Sequence, residues 1–177
     1  MNINLKSHGK DIFIHDYSLI KYPELTSIGN HFALDQFSTL GTSGEYGDYI
    51  HIAPNCSIIG GKKAKVIMNH FSGLSAGVRI IASSEDYSKG LIGPTIPIEH
   101  RNITISSVIL EPFVTIGTNS IIMPGVKLGI GSAIGANSLV TRDTEPWTLY
   151  VGTPAKPIKK RNKKSILEAA KKLGYEF

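Results

Sequence analysis

Six histidines and one polar stretch hold the candidate proton-moving groups of this 177-residue chain. The histidines are His8, His15, His31, His51, His70 and His100. The polar stretch, IASSEDYSKGLIGPTIPIEHRNITISSVI, gathers Glu85, Asp86, Tyr87, Glu99, His100 and Arg101. A positioned histidine takes a proton well near neutral pH, and a carboxylate does so when desolvation raises its pKa. Successive histidines are 7, 16, 20, 19 and 30 residues apart. No close pair exists to grip a metal ion, so no metal site is expected. His8 and His15 read as surface residues and His31 as part of a turn. His70 lies in another turn, NHFSG, where it remains a candidate for substrate contact.

The residues that must carry this chemistry follow a period of six. From Leu110 every sixth residue is aliphatic: Leu110, Ile116, Ile122, Leu128, Ile134, Val140. Two positions earlier stand Val108, Val114, Ser120, Val126, Ser132 and Ser138, all small or β-branched. Neither the 3.6 of a helix nor the 2.0 of a simple strand fits, and a hexapeptide period indicates a β-helix, one strand and one turn per repeat. Glycines after the aliphatic residue (Gly117, Gly129, Gly135) are expected to supply a positive φ at the turn. The row extends backward through Ile80, Leu74 and Met68. A four-residue insertion around Gly60 to Lys63 precedes them, and before it come Ile58, Ile52, Tyr46, Leu40, Leu34 and Ile28. A two-residue slip then leads to Ile20 and Ile14. Seventeen hexapeptides result, nearly six triangular coils, or a prism about 28 Å tall at the spacing of stacked strands. Cys56 falls on the inner row and reads as a core filler. His51, next to the inward Ile52, must point outward.

Between residues 81 and 107 the period lapses, and this stretch is expected to leave the prism as an irregular loop. Long excursions on a rigid scaffold are where function tends to sit. The clustered acids, His100 and Arg101 argue against a non-catalytic assembly protein, the remotest of the functions considered. Residues 1–158 form one domain, with a capping segment at 141–158 in which Trp147, Leu149, Tyr150 and Val151 close the last coil. Residues 159–177 form a basic helical tail. Its helix is expected over Ile166 to Leu173, with Ser165 and Glu168 as a capping box and Gly174 as the stop.

The net charge of +5 is uneven: from Lys156 onward eight Lys or Arg face two Glu, leaving −1 for the rest. No nucleic-acid motif accompanies this basic end, which reads as a solvated tail helix, with local phosphate binding as the alternative. A hydrophobic content of 41% fits a folded domain. No apolar run approaches the roughly 20 residues of a membrane span. One cysteine and no secretory layout at the N-terminus point to the cytoplasm.

The repeat rows, the excursion and the phrase GTPAKPIKKR after the last coil resemble the hexapeptide-repeat acyltransferases. The likeness is to galactoside and maltose acetyltransferases and to O-antigen sugar acetyltransferases. That resemblance implies an all-β, left-handed parallel β-helix with an excursion loop and a short C-terminal α-helix. It further implies a homotrimer with acetyl-CoA in clefts between adjacent prisms. The positions matching the family's pantetheine contacts are Gly117, Thr118, Gly135, Ala136, Thr141 and Arg142. Lys156, Lys159 and Lys160 match its phosphate-binding residues, as point charges. Asn55 aligns with an acceptor-binding asparagine, with His51 beside it. The family's loop histidine follows a Gly-Val-x-Ile segment, here Gly77-Val78-Arg79-Ile80, and its place is taken by Glu85. Glu85 is therefore the first candidate for general base, with Asp86 and His100 behind it. The expected reaction is O-acetylation of a sugar in a cell-surface polysaccharide or its nucleotide-linked precursor. N-acetylation of a nucleotide-linked amino sugar is the alternative, which the missing histidine favours because a neutral amine needs less help from a base.

Overall fold

The structure is a computed structural model describing residues 3–177. Its parallel strands stack on three faces of a prism. Face one carries Ser7–His8, Thr26–Ile28, the second halves of Thr39–Tyr46 and Ser57–Met68, then Val108–Leu110 and Lys127–Leu128. Face two carries Ile12–Ile14, Phe32–Leu34, Ile50–Ile52, Gly73–Leu74, Thr115–Ile116, Ala133–Ile134 and Thr148–Val151. Face three carries Leu19–Ile20, the first halves of the two long strands, Arg79–Ile81, Ile121–Ile122 and Leu139–Val140. This is the left-handed parallel β-helix. Its seven parallel strands on face two make about seven turns, where the aliphatic row alone indicated nearly six. The extra turn comes from Ser7–His8 at one end and from Thr144 and Thr148–Val151 at the other, segments whose inward residues are not the row's aliphatics.

The inward row packs as its period requires: Leu34, Leu40, Ile52, Ile58, Met68, Ile80, Leu110, Ile116, Ile122 and Leu128 are all fully buried. Cys56 is buried among them, its Sγ donating to the Ser75 carbonyl at 3.2 Å. Tyr46 takes an aliphatic place because Gly44 leaves room for its ring; a Cβ there would collide with it. The two-residue slip appears as Ile14 facing Leu34 and Ile20 facing Leu40. The four-residue insertion is a bulge on one long strand, since Leu40 faces Ile58 but Gly44 faces Val66.

The glycines after the row have a different reason from the one expected. None of Gly117, Gly129 and Gly135 has a positive φ. Each lies where the next coil comes too close for a side chain: a Cβ on Gly117 would sit 2.6 Å from the Ala136 nitrogen, and one on Gly129 2.6 Å from the Thr144 oxygen. The left-handed turns fall instead on residues such as Asn55, Asn119 and Asn137, and asparagine tolerates that conformation.

The excursion is not an irregular loop. Ser83–Gly90 pairs antiparallel with Arg101–Ile105, placing Glu85 opposite Ile103. The alternation Asn102-Ile103-Thr104-Ile105-Ser106 is the period-two signal for that strand. The helix runs Lys163–Lys172, three residues earlier than expected, and its cap is Asn162, whose side chain accepts from the Lys164 N–H. Asparagine caps as well as serine, so the Ser165 capping box is not used. Gly174 ends the helix with φ +86°. Before the helix, Lys156–Lys160 pairs antiparallel with Thr148–Val151 and ties the basic segment to the last coil.

Candidate active site

The turns between faces two and three form one column: Tyr17, Phe37, Asn55, Gly77, Asn119 and Asn137, all left-handed. Backbone bonds run down it, Asn55 N to Gln36 O, Gly77 N to Pro54 O, Asn119 N to Ala76 O and Asn137 N to Thr118 O. Asn55 is exposed at this column. Arg79 is held against it, Nη1 donating to the carbonyls of Asn55 at 2.6 Å and Gly77 at 2.7 Å. His51 points outward from the adjoining face, as its place beside Ile52 requires. Its Nε2 lies 2.9 Å from Asp35 Oδ2, and a carboxylate there fixes the tautomer and orientation of the ring. Sequence reasoning missed Asp35 and Arg79, because partners one coil apart lie sixteen to twenty-four residues away along the chain.

Gly117, Thr118, Gly135 and Ala136 lie at the lower end of the same column. Gly117 N donates to Ile134 O, and Gly135 N to Tyr150 O. The coils here are bare of bulky side chains, which suits a thin arm needing close backbone approach. Thr141, Arg142 and Lys156 line a groove of about 390 Å³ with Tyr150 and Ala155 at its base. Lys159 is exposed on the terminal strand. Lys160 is engaged by Glu145 at 2.9 Å and by Thr148 at 2.8 Å.

The excursion, a hairpin arm of Ser83–Gly90 and Arg101–Ile105, brings Glu85 and Arg101 together. Glu85 Oε1 accepts from Arg101 Nε at 3.0 Å, from Arg101 Nη2 and from the Gly93 N–H at 3.2 Å. The Arg101 guanidinium holds this carboxyl below the usual range. Glu85 Oε2 is buried with no hydrogen-bond partner among the described residues. Both side chains line a groove of about 620 Å³ between the arm and face three, floored by Gly41, Ile59 and Ile81. Asp86 bonds the Ser88 N–H and hydroxyl, which keep its pKa low. His100 is exposed at the base of the arm's tip, its carbonyl accepting from Leu91 N. Within one chain the Glu85 groove lies over face three, whereas His51 stands on face two and Asn55 at the edge between them.

His70 belongs to the column between faces one and two, not to that of Asn55. Its Nδ1 accepts from the Asp48 N–H at 2.9 Å, and its ring packs near Tyr175 and Phe177. Asp48 also accepts from the Tyr175 hydroxyl at 2.6 Å and from the Asn30 N–H at 2.6 Å. Burial pushes the Asp48 carboxyl upward, but the bonds from Tyr175 and Asn30 with nearby His70 outweigh it, and its pKa lies low. Arg161 is drawn into this corner by the carbonyls of Phe113 and Gly131. No group of three or more potential metal-ligating side chains exists among the described residues.

A β-helix of hexapeptide coils, carrying an arm with a buried carboxylate and a bare-backbone corner, has the architecture of an acyl-transfer enzyme. No protein-family model matches the chain. It is 41% identical over 169 residues to dTDP-4-amino-4,6-dideoxy-D-glucose acyltransferase of Escherichia coli, covering 93% of this chain and 86% of that one. AntD, an N-acyltransferase from Bacillus cereus solved with dTDP and 3-hydroxybutyryl-CoA, superposes with a TM-score of 0.93. Identity there is 36%, with 97% of this chain and 92% of that one covered. A putative lipopolysaccharide biosynthesis O-acetyl transferase of E. coli, WbbJ, is 29% identical over 164 residues, 88% of this chain and 79% of that one. The chain belongs to the hexapeptide-repeat acyltransferases.

Proposed function

We propose that this enzyme transfers an acyl group, acetyl in the first instance, from its coenzyme A thioester to the amine of a dTDP-linked 4-amino-4,6-dideoxy sugar. The observation that carries this reading is the 41% identity, sustained over 93% of the chain, to an acyltransferase of that acceptor. The likeness to AntD adds a donor and a nucleotide of the same chemical kinds. O-acetylation, the first expectation from the sequence, is the second reading, and the similarity to WbbJ supports it.

In the proposed reaction the neutral amine attacks the thioester carbonyl. The tetrahedral intermediate expels the coenzyme A thiolate, and the proton lost by nitrogen balances the one gained by sulfur. Glu85, on the wall of the groove between the arm and face three, accepts a hydrogen bond from the attacking amine and receives its proton. Asp86 and His100 are the reserve candidates on the arm. His51, oriented by Asp35, and Asn55 contact the acceptor, and His70 is a remoter substrate contact. Pantetheine lies along Gly117, Thr118, Gly135, Ala136 and Thr141, with Arg142, Lys156, Lys159 and Lys160 toward the phosphates.

The enzyme works as a homotrimer. The separation of the Glu85 groove from His51 within one chain supports this, because a neighbouring copy would bring the two together. Donor and acceptor of these kinds support a cytoplasmic reaction, in the assembly of O-antigen or another cell-surface polysaccharide. A crystal soaked with coenzyme A and the dTDP-amino sugar tests the assignment: the sugar nitrogen should lie within hydrogen-bond reach of Glu85, and a sugar bound elsewhere would contradict it.

A further inference from the structure

Two columns of left-handed turns carry aromatic rings, and only one of them is covered. Between faces one and two, His31, Tyr49, Phe71 and Phe113 stack ring on ring at 4.4, 4.9 and 5.3 Å, with Trp147 beyond them at 5.8 Å. The chain's own C-terminus closes over this ladder, Tyr175 and Phe177 meeting Phe71 and Phe113 edge-on. Between faces two and three the upper two turns, Tyr17 and Phe37, are stacked at 5.8 Å with their planes 20° apart. No described residue covers them: Tyr17 is 81% exposed and Phe37 60%.

Both residues hold a left-handed backbone, φ +62° and +60°, which a bulky side chain adopts unfavourably. Lower down, the same column uses Asn55, Gly77, Asn119 and Asn137, the types that tolerate this conformation. The pair therefore spends both backbone strain and apolar exposure on presenting a flat aromatic surface. Directly below stand Asn55 and the Arg79 guanidinium, which is pinned through Nη1 while its Nε and Nη2 make no hydrogen bond among the described residues. Phe37 to Asn55 is one coil and Phe37 to Gly77 two, about 10 Å at the spacing of stacked strands. A flat ring joined to a diphosphate matches this aromatic pair with a guanidinium two coils below it.

Resting on the reading of the acceptor as a dTDP-linked sugar, we infer that Tyr17 and Phe37 form the nucleobase platform of the acceptor site. The pyrimidine stacks on the exposed aromatic pair and the diphosphate pairs with Arg79. Below Arg79 the same column continues to the donor-binding coils at Gly117 and Gly135.

The test is calorimetric titration of dTDP, and separately of coenzyme A, into wild-type protein and the Tyr17→Asn/Phe37→Asn variant. Asparagine suits the left-handed turn, so the variant should fold at least as well as the parent. Loss of base stacking should weaken dTDP at least about tenfold and leave coenzyme A affinity unchanged. Arg79→Met should also weaken dTDP, but not thymidine. Wild-type-like dTDP affinity in the double variant would overturn the platform. Loss of its assembly state in sedimentation would also overturn it, by reassigning the pair to contact between copies. A wild-type protein that binds coenzyme A but no dTDP would instead remove the dTDP-sugar reading itself, and the platform with it.

Discussion

Glu85 is a carboxylate with its two oxygens in different circumstances. One is tied to Arg101 and the Gly93 N–H, the other is buried without a partner among the described residues. Its low pKa makes it a modest base, and an amine acceptor needs only a modest one. Glu85→Gln should lower kcat by about 10²–10⁴-fold if general-base transfer operates, measured with folding checked by circular dichroism. Full activity in that variant, with loss in His100→Ala, would move the base to the histidine. Because Arg101 holds the carboxyl low, Arg101→Met should raise the Glu85 pKa and shift the acid limb of the kcat profile to higher pH. Asp48 offers a stability test. Its folded pKa is depressed, so its contribution is present above the unfolded aspartate pKa and is lost as pH falls through the folded value. Tyr175, raised to about 12 by its bond to Asp48, contributes below its unfolded pKa and loses that contribution as pH rises through about 12. Tyr175→Phe should cost about 1–2 kcal/mol at neutral pH, and the cost should shrink in acid; denaturant titrations at two pH values check it. The acid at 85 was legible through the Gly-Val-x-Ile segment before it. Its arginine was not, because the pairing depends on a hairpin whose register no local pattern announces.

At the scale of elements, the prism was legible because its signal is repeated and inward: the row from Leu110 to Val140 is buried at every position. Ile122→Asp should abolish folding, since an unpaired charge on that axis costs several kcal/mol or more; native-like circular dichroism would contradict the packing. The arm and the tail helix were misjudged for physical reasons. The strands of the arm pair with each other rather than with the stack, so they escape the six-residue period. The helix cap could fall on any of several polar residues. Its choice of Asn162 is tied to docking: starting there turns Ile166, Ala169, Ala170 and Leu173 toward Phe71 and Phe113, a tertiary reason invisible to local pattern. Glycine at 117 and 129 was correctly marked as special, but as room for the next coil rather than as turn geometry.

In the whole molecule, the proposed function needs copies of the chain to complete each other's sites, because the Glu85 groove lies over face three while His51 stands on face two. Sedimentation equilibrium should return a trimer, and a monomer with full activity would contradict the shared site. The central claim is the class of acceptor, and the most direct measurement is a competition between two sugars. Enzyme and acetyl-CoA are given dTDP-4-amino-4,6-dideoxyglucose together with its 4-hydroxy counterpart, and the products are resolved by mass and by amide or ester linkage. An amide should form on the amino sugar, with kcat/KM rising with pH as the ammonium loses its proton. An ester on the hydroxy sugar, with the amino sugar left untouched, would contradict it.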